Sequence, residues 1–179
     1  MDDLILKFKS SIEEANGKCY IIEKIDEISD IILEITENFK NVFIHNIDEK
    51  IEEYVKNILK NNGKNVMTIE DLKRDPGKIE IGITGAHAMA AESGSIIFYE
   101  NGVLTAFTSF LPEKHIVIEY SDKIFPEILD ALDYVVKESG KMPSYIQIIQ
   151  GPSYTGDIEK KIVRPSHGPR ELHVLIVKR

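Results

Sequence analysis

Cysteine is almost missing from this sequence: Cys19 is the only one in 179 residues. An intramolecular disulfide is therefore excluded, and so is an iron–sulfur cluster held by four thiolates of these residues. Any iron–sulfur cluster working with this chain is expected on a partner polypeptide, and no covalently bound cofactor is expected here. Cys19 lies in the apolar run Cys19-Tyr20-Ile21-Ile22, which reads as a small buried hydrophobe and not as a reactive thiol. Basic residues are outnumbered as well, with 22 Lys and Arg against 30 Asp and Glu for a net charge of −8. No stretch gathers enough of them to follow a phosphate backbone, so nucleic acid is not an expected partner. Long apolar runs are absent too. Nothing approaches the roughly 18 apolar residues of a membrane span, and the first residues lack the basic segment and apolar core of a secretory signal. A soluble, cytoplasmic protein is the expectation.

What the sequence does have is enough apolar content, 42%, for one substantial core. One domain over 1–179 is expected, helix-rich over 1–64 and bearing its motifs over 65–179. Leu4, Ile5, Phe8 and Ile12 recur at helical spacing and stop at Asn16-Gly17. Ile25, Ile28, Ile31, Ile32, Ile35 and Phe39 form a second helical stripe. A strand over 41–45 follows, then a helix carrying Ile51, Val55, Ile58 and Leu59, for which Asn46 and Glu49 offer a capping pair. Beyond residue 64 strands dominate. Ile79, Ile81 and Ile83 alternate with smaller or polar residues, and 95–99 and 103–107 flank Glu100-Asn101-Gly102, a strong hairpin signal. Strands are also expected at 115–120, 145–149 and 173–177. Between them a helix lined by Ile128, Leu132 and Val135 is expected, capped by Ser121 or Asp122, with Pro126 in its first turn. The sum is an α/β fold of three layers, a sheet with helices on both faces and an inserted β-hairpin.

Three loops hold more polar and small residues than a core requires. The first runs from Thr84-Gly85-Ala86-His87 to Glu92-Ser93-Gly94-Ser95, where small side chains let a ligand approach the backbone and N–H groups face an anion. The second, Gln150-Gly151-Pro152-Ser153-Tyr154-Thr155-Gly156-Asp157, leaves the carboxyl end of a strand, where open α/β sheets place ligands. The third, Ser166-His167-Gly168-Pro169-Arg170, combines charge with a group able to transfer protons. The loops are expected to meet in one pocket for a small anion. Candidate ligand contacts are Thr84, Gly85, Ser93, Gly94, Ser95, Gly151, Ser153, Thr155, Asp157, Gly168 and Arg170.

Taken in order, these segments with Leu111-Pro112, His115-Ile116-Val117, Asp157-Ile158-Glu159 and His167-Gly168-Pro169-Arg170-Glu171-Leu172-His173-Val174 resemble the LUD-domain family, typified by lactate-utilisation protein C. The resemblance covers roughly residues 79–179. It implies a fold like that of the sugar-phosphate isomerase and coenzyme A transferase-like group, and a part in L-lactate oxidation beside iron–sulfur oxidoreductase subunits. It implies no agreed catalytic set. Tyr154 stands where the family usually has Arg; if that Arg holds an anion, either Arg170 or Arg164 takes its role here or the ligand differs from the family's.

Two residues are candidates for acid–base work. Glu92 follows small apolar residues, whose shelter would raise its pKa toward that of a general base; it reads equally as a helix-end carboxylate satisfied by backbone N–H groups. His167 is the second candidate, beside Gly168 and Arg170. Asp157 also suits a helix cap. His87, His115, His167 and His173 lack the spacing of two ligands on one helical face, so no metal is expected. Ser93 and Ser153 lack a nucleophile elbow. A binding subunit of a lactate-oxidising system is the first reading. A stand-alone enzyme acting on a phosphorylated or coenzyme A-linked metabolite, and a regulatory or structural role, remain open, as does association into a homo-oligomer.

Overall fold

The computed structural model describes residues 2–100, 102–140, 143, 145–153 and 168–179. Amphipathic stripes in the first half fold as helices between short apolar strands. Helix α1 (Asp2–Glu14) buries Ile5, Phe8 and Ile12, and Asn16 closes it in the left-handed region. Strand β1 (Lys18–Ile22), α2 (Glu27–Thr36), β2 (Asn41–His45) and α3 (Glu49–Asn61) follow. The cap of α3 is Asp48, whose carboxylate accepts from the Lys50 and Ile51 amides, and not the expected Asn46. Asn46 instead turns the chain with a φ of 55°. Strand β3 (Asn65–Val66) and the short α4 (Ile69–Arg74), closed by a Thr68–Asp71 capping box, lead to β4 (Ile81–Thr84).

The remaining elements are β5 (Ala88–Ala90), β6 (Ser95–Glu100), α5 (Leu104–Phe110), β7 (Lys114–Tyr120), β8 (Ile124–Phe125), α6 (Ile128–Glu138), β9 (Tyr145–Ile149) and β10 (Glu171–Val177). Six strands form a wholly parallel sheet in the order β1-β10-β7-β4-β2-β3. Four more form a mixed sheet, β8-β5-β6-β9. One face of the parallel sheet, with Ile22, Ile44, Ile83 and Ile118, packs on Ile28 and Ile32 of α2 and Val55 and Leu59 of α3. Its other face, with Val117, Val174 and Ile176, packs on α1 and on Met89, Ile96 and Phe98 of the mixed sheet. That sheet's far side, with Ala88, Ala90 and Ile97, is covered by Ala131 and Val135 of α6.

Three further expectations change. The hairpin is β5–β6, closed by residues 91–94, and 103–107 belongs largely to α5 instead of forming its second strand. The cause is packing: α5 lies so close to β4 that a Cβ on Gly82 would stand 1.8 Å from the Thr108 carbonyl oxygen. The buried side of α5 carries Thr105, Thr108 and Ser109, while Phe107, Phe110 and Leu111 face outward. The Thr108 and Ser109 hydroxyls bond the carbonyls of Leu104 and Ala106, so their burial costs little. Ser121 and Asp122 form a separate short 3-10 turn, and α6 begins after Glu127, which leaves Pro126 outside its first turn. Finally, β9 sits in the mixed sheet, so the rule locating ligands at carboxyl ends of an open parallel sheet does not apply to the loop that follows it.

Candidate functional site at the carboxyl end of the parallel sheet

Parallel strands end together, and their carboxyl ends expose the loops in which open α/β sheets hold ligands. Here β2, β4 and β7 deliver His45-Asn46, Thr84-Gly85 and Glu119-Tyr120 to that edge. Gly85 is fixed by its neighbours: its amide donates to the Asn46 carbonyl at 2.7 Å, and a Cβ would stand 3.0 Å from the Glu119 carboxylate. Glu119 is buried, and its carboxylate accepts from the Ala86 and Tyr120 amides, each at 2.9 Å. Burial nevertheless raises its pKa above the usual carboxylate value.

His87 lies close by, its ring centroid 3.9 Å from that of Tyr99. The Tyr99 amide donates to Nδ1 at 3.2 Å, which places the proton of the neutral ring on Nε2. Burial, helped by the Lys123 charge, pushes the His87 pKa down to about 4. Lys123 donates to the Tyr134 hydroxyl and lies over its ring. His45 pairs with Glu100 at 3.0 Å from Nε2, and the second Glu100 oxygen accepts from the Thr105 amide at 2.9 Å. Beside this pair a cavity of about 350 Å³ opens between α3 and the ends of β2 and β3, with Phe43, Asn46, Lys56, Lys60, Met67 and Thr68 among its walls. Sequence reading missed His45, Glu100 and Glu119 as site residues. The signal that could have found them was an ionisable side chain at or just before the end of an apolar strand.

The described residues of the three loops fall into two groups. Thr84 is fully buried and joined to His115, and with Gly85 it belongs to the carboxyl side. Ser93, Gly94 and Ser95, with the described residues of the other two loops, gather toward the opposite side, around the end of α1. Gly94 approaches the Ser11–Ile12 backbone, Gly151 approaches the Ala15 carbonyl, and Gln150 donates to the Ser93 carbonyl. Ser93 and Ser95 bond one another through their hydroxyls. The Ser153 amide donates to the Pro169 carbonyl, and Gly168 faces Ser153. Arg170 is exposed, with a guanidinium nitrogen 3.8 Å from Glu113, just ahead of the amino end of β7. Two clefts border this group. One of about 250 Å³ includes Glu14, Glu92 and Ser93. The other, about 220 Å³, includes Phe110, Gln147, Gly151 and Ser153. Thr155, Asp157 and His167 lie outside the described residues.

Glu92 is exposed, and its carboxylate accepts from the Ile128 amide at 2.8 Å, the first residue of α6. The partial burial expected of a general base is not found, and the contact is that of a helix-end carboxylate. Cys19 is buried, and burial pushes its thiol up to about 12. Among the described residues no group of three or more His, Cys, Asp and Glu is placed to hold a metal, and no helix is long and apolar enough to cross a membrane.

A parallel sheet with helices on both faces, joined to a smaller mixed sheet, places the chain in the α/β class. It belongs to the LUD domain family, whose model matches residues 5–177. Lactate utilization protein C of a Geobacillus strain is 33% identical over 100 residues, 54% of this chain and 42% of that protein. Lactate utilization protein C 1 of Bacillus mycoides is 31% identical over 101 residues, 55% and 43% of the two chains. Lactate utilization protein B of Geobacillus kaustophilus is 34% identical over 113 residues, 60% of this chain but 22% of the relative. The chain thus spans less than half the length of these curated relatives. The crystal structure of a DUF162 family protein from Deinococcus radiodurans shares the fold, with a TM-score of 0.66 at 16% identity over 98% of this chain and 97% of the other.

Proposed function

We propose that this LUD-domain chain is a component of an L-lactate oxidation system, binding a small anionic metabolite and working beside iron–sulfur oxidoreductase subunits. The observation that carries the reading is the family match over 5–177 together with the names of the relatives, lactate utilization proteins B and C. Two features support it. A single cysteine leaves these residues short of a four-thiolate cluster, so redox chemistry of that kind would be supplied by another subunit. The outward side chains Val103, Phe107, Phe110 and Leu111, with Tyr145 and Ile148 of β9, are exposed large hydrophobics of the sort that protein contacts cover.

The test is genetic and biochemical together. Deleting the chain in its native host is expected to abolish growth on L-lactate while sparing growth on glucose, and the tagged chain is expected to co-purify iron–sulfur subunits from lactate-grown cells. Normal growth on L-lactate after deletion, with no such subunit recovered, overturns the reading.

A further inference from the structure

We propose that the cavity between α3 and the carboxyl ends of β2 and β3 binds a small carboxylate-bearing metabolite. Lys60, in the last turn of α3, draws the carboxylate, while Asn46 and His45 line the end of the cavity at the tip of β2 and take polar groups farther along the ligand. At about 350 Å³, and with ~30 Å³ for each water-sized group, the cavity has room for roughly a dozen non-hydrogen atoms. Phe43, Ile44, Val66 and Met67 supply apolar wall, and a few polar groups interrupt it, the usual composition of a small-molecule site.

Some of those polar groups have protein partners and some have none among the described residues. Lys56 is ion-paired with Glu52 on the same helix, whereas Lys60 has no ion pair among the described residues. The lining therefore holds two lysines against one glutamate, an excess of one positive charge on a chain whose net charge is −8. That excess matches one carboxylate better than a dianionic phosphate. Asn46 spends its carbonyl on the Gly85 amide, and its side-chain amide makes no hydrogen bond among the described residues. His45 commits Nε2 to Glu100, which leaves Nδ1 for a ligand. Glu100 is a positioning residue: it fixes the ring while holding the start of α5 through Thr105. Both lysines also border an outer groove with Glu49 and Glu53, which competes for their charge.

The choice of organic acids as probes rests on the lactate reading above, but the measurement does not. The ¹⁵N-labelled full chain is titrated separately with L-lactate, pyruvate and sodium phosphate at constant ionic strength, and amide shifts are followed by NMR. At least one carboxylate is expected to shift His45, Asn46, Lys60 and Thr68 saturably. Because Lys60 is exposed, Lys60→Ala is expected to keep a dispersed spectrum. Losing a charge-assisted contact should weaken binding by about tenfold or more, and Lys60→Arg should largely restore it. Shifts confined to the cleft around Gln150, an affinity unmoved by Lys60→Ala, or phosphate binding as tightly as the carboxylates overturns the site. A chain that supports growth on L-lactate yet shows no saturable shift refutes the site alone; saturable binding without a lactate phenotype refutes the cellular role alone.

Discussion

Thr84 and His115 are joined by a buried hydrogen bond of 2.9 Å between Oγ1 and Nε2. Both residues are fully buried, and His115 Nδ1 has no hydrogen-bond partner among the described residues. The threonine hydroxyl that the sequence offers as a ligand contact is thus engaged by the protein itself. Thr84→Val keeps the shape and removes the hydroxyl, leaving both ring nitrogens of His115 without a partner. The expected loss is about 1–3 kcal/mol, read as a lower urea midpoint with an unchanged slope.

His115 also sets the direction of the pH response. Burial lowers its pKa from 6.5 to about 3. It does the same to His87 and His173, each lowered to about 4; the Lys123 charge helps at His87, while the Glu171 carboxylate opposes at His173. In all three the folded value lies below the unfolded one, so the unfolded chain binds more protons once the pH drops below 6.5. Their stabilisation is complete above that pH and is lost progressively as the pH falls toward about 4. Glu119, raised by burial, acts in the opposite sense from its unfolded value of 4.5 upward, one group against three. The urea midpoint is expected to fall between pH 7 and pH 5, and His115→Phe to flatten that fall. A midpoint constant or rising over this interval contradicts the assignment.

Where the sequence could be read, the reason was a pattern tied to one face. The α2 and α3 stripes point at a single sheet, and β2, β7 and β10 are apolar enough to be strands buried on both sides. The 103–107 segment misled for the same reason in reverse. Its hydroxyls face the core and its aromatics face outward, so the apolar spacing marks the wrong side of the helix. No local pattern announces that Gly82 lets α5 come so close. The site was legible in part: the first loop does reach the carboxyl edge at Thr84-Gly85. Its partners there come from His45, Glu100 and Glu119, which are distant in the sequence and are joined only by the strand order.

The Gly151 loop is held by backbone packing. Gly151 has a φ of 94°, and a Cβ there would stand 2.3 Å from the Ala15 carbonyl oxygen. Gly63 provides the control, with a φ of 73° and open space within 4 Å of where its Cβ would stand. Gly63→Ala should cost only the left-handed strain, about 1 kcal/mol. Gly151→Ala adds a backbone overlap that cannot be relieved by rotating a side chain, so its cost should be larger, on the order of 2–4 kcal/mol. Thermal unfolding of the two variants under one buffer checks the order; equal midpoints would mean that the loop does not bear on α1.

Glu100 satisfies at least two donors at once. One carboxylate oxygen faces His45 Nε2 at 3.0 Å and the other accepts the Thr105 amide at 2.9 Å. Since a carboxylate only accepts, neutral His45 must carry its proton on Nε2. Glu100→Gln breaks that symmetry. The Thr105 N–H still needs an acceptor, so the new carbonyl oxygen must face it, which turns the new NH₂ toward His45. Nε2 then has to accept, and the proton of the neutral ring moves to Nδ1. Long-range ¹H–¹⁵N correlation spectra of the imidazole should therefore show an Nε2–H tautomer in the natural sequence and an Nδ1–H tautomer in the variant. A ring that keeps its Nε2 proton in Glu100→Gln would show that Glu100 does not orient His45.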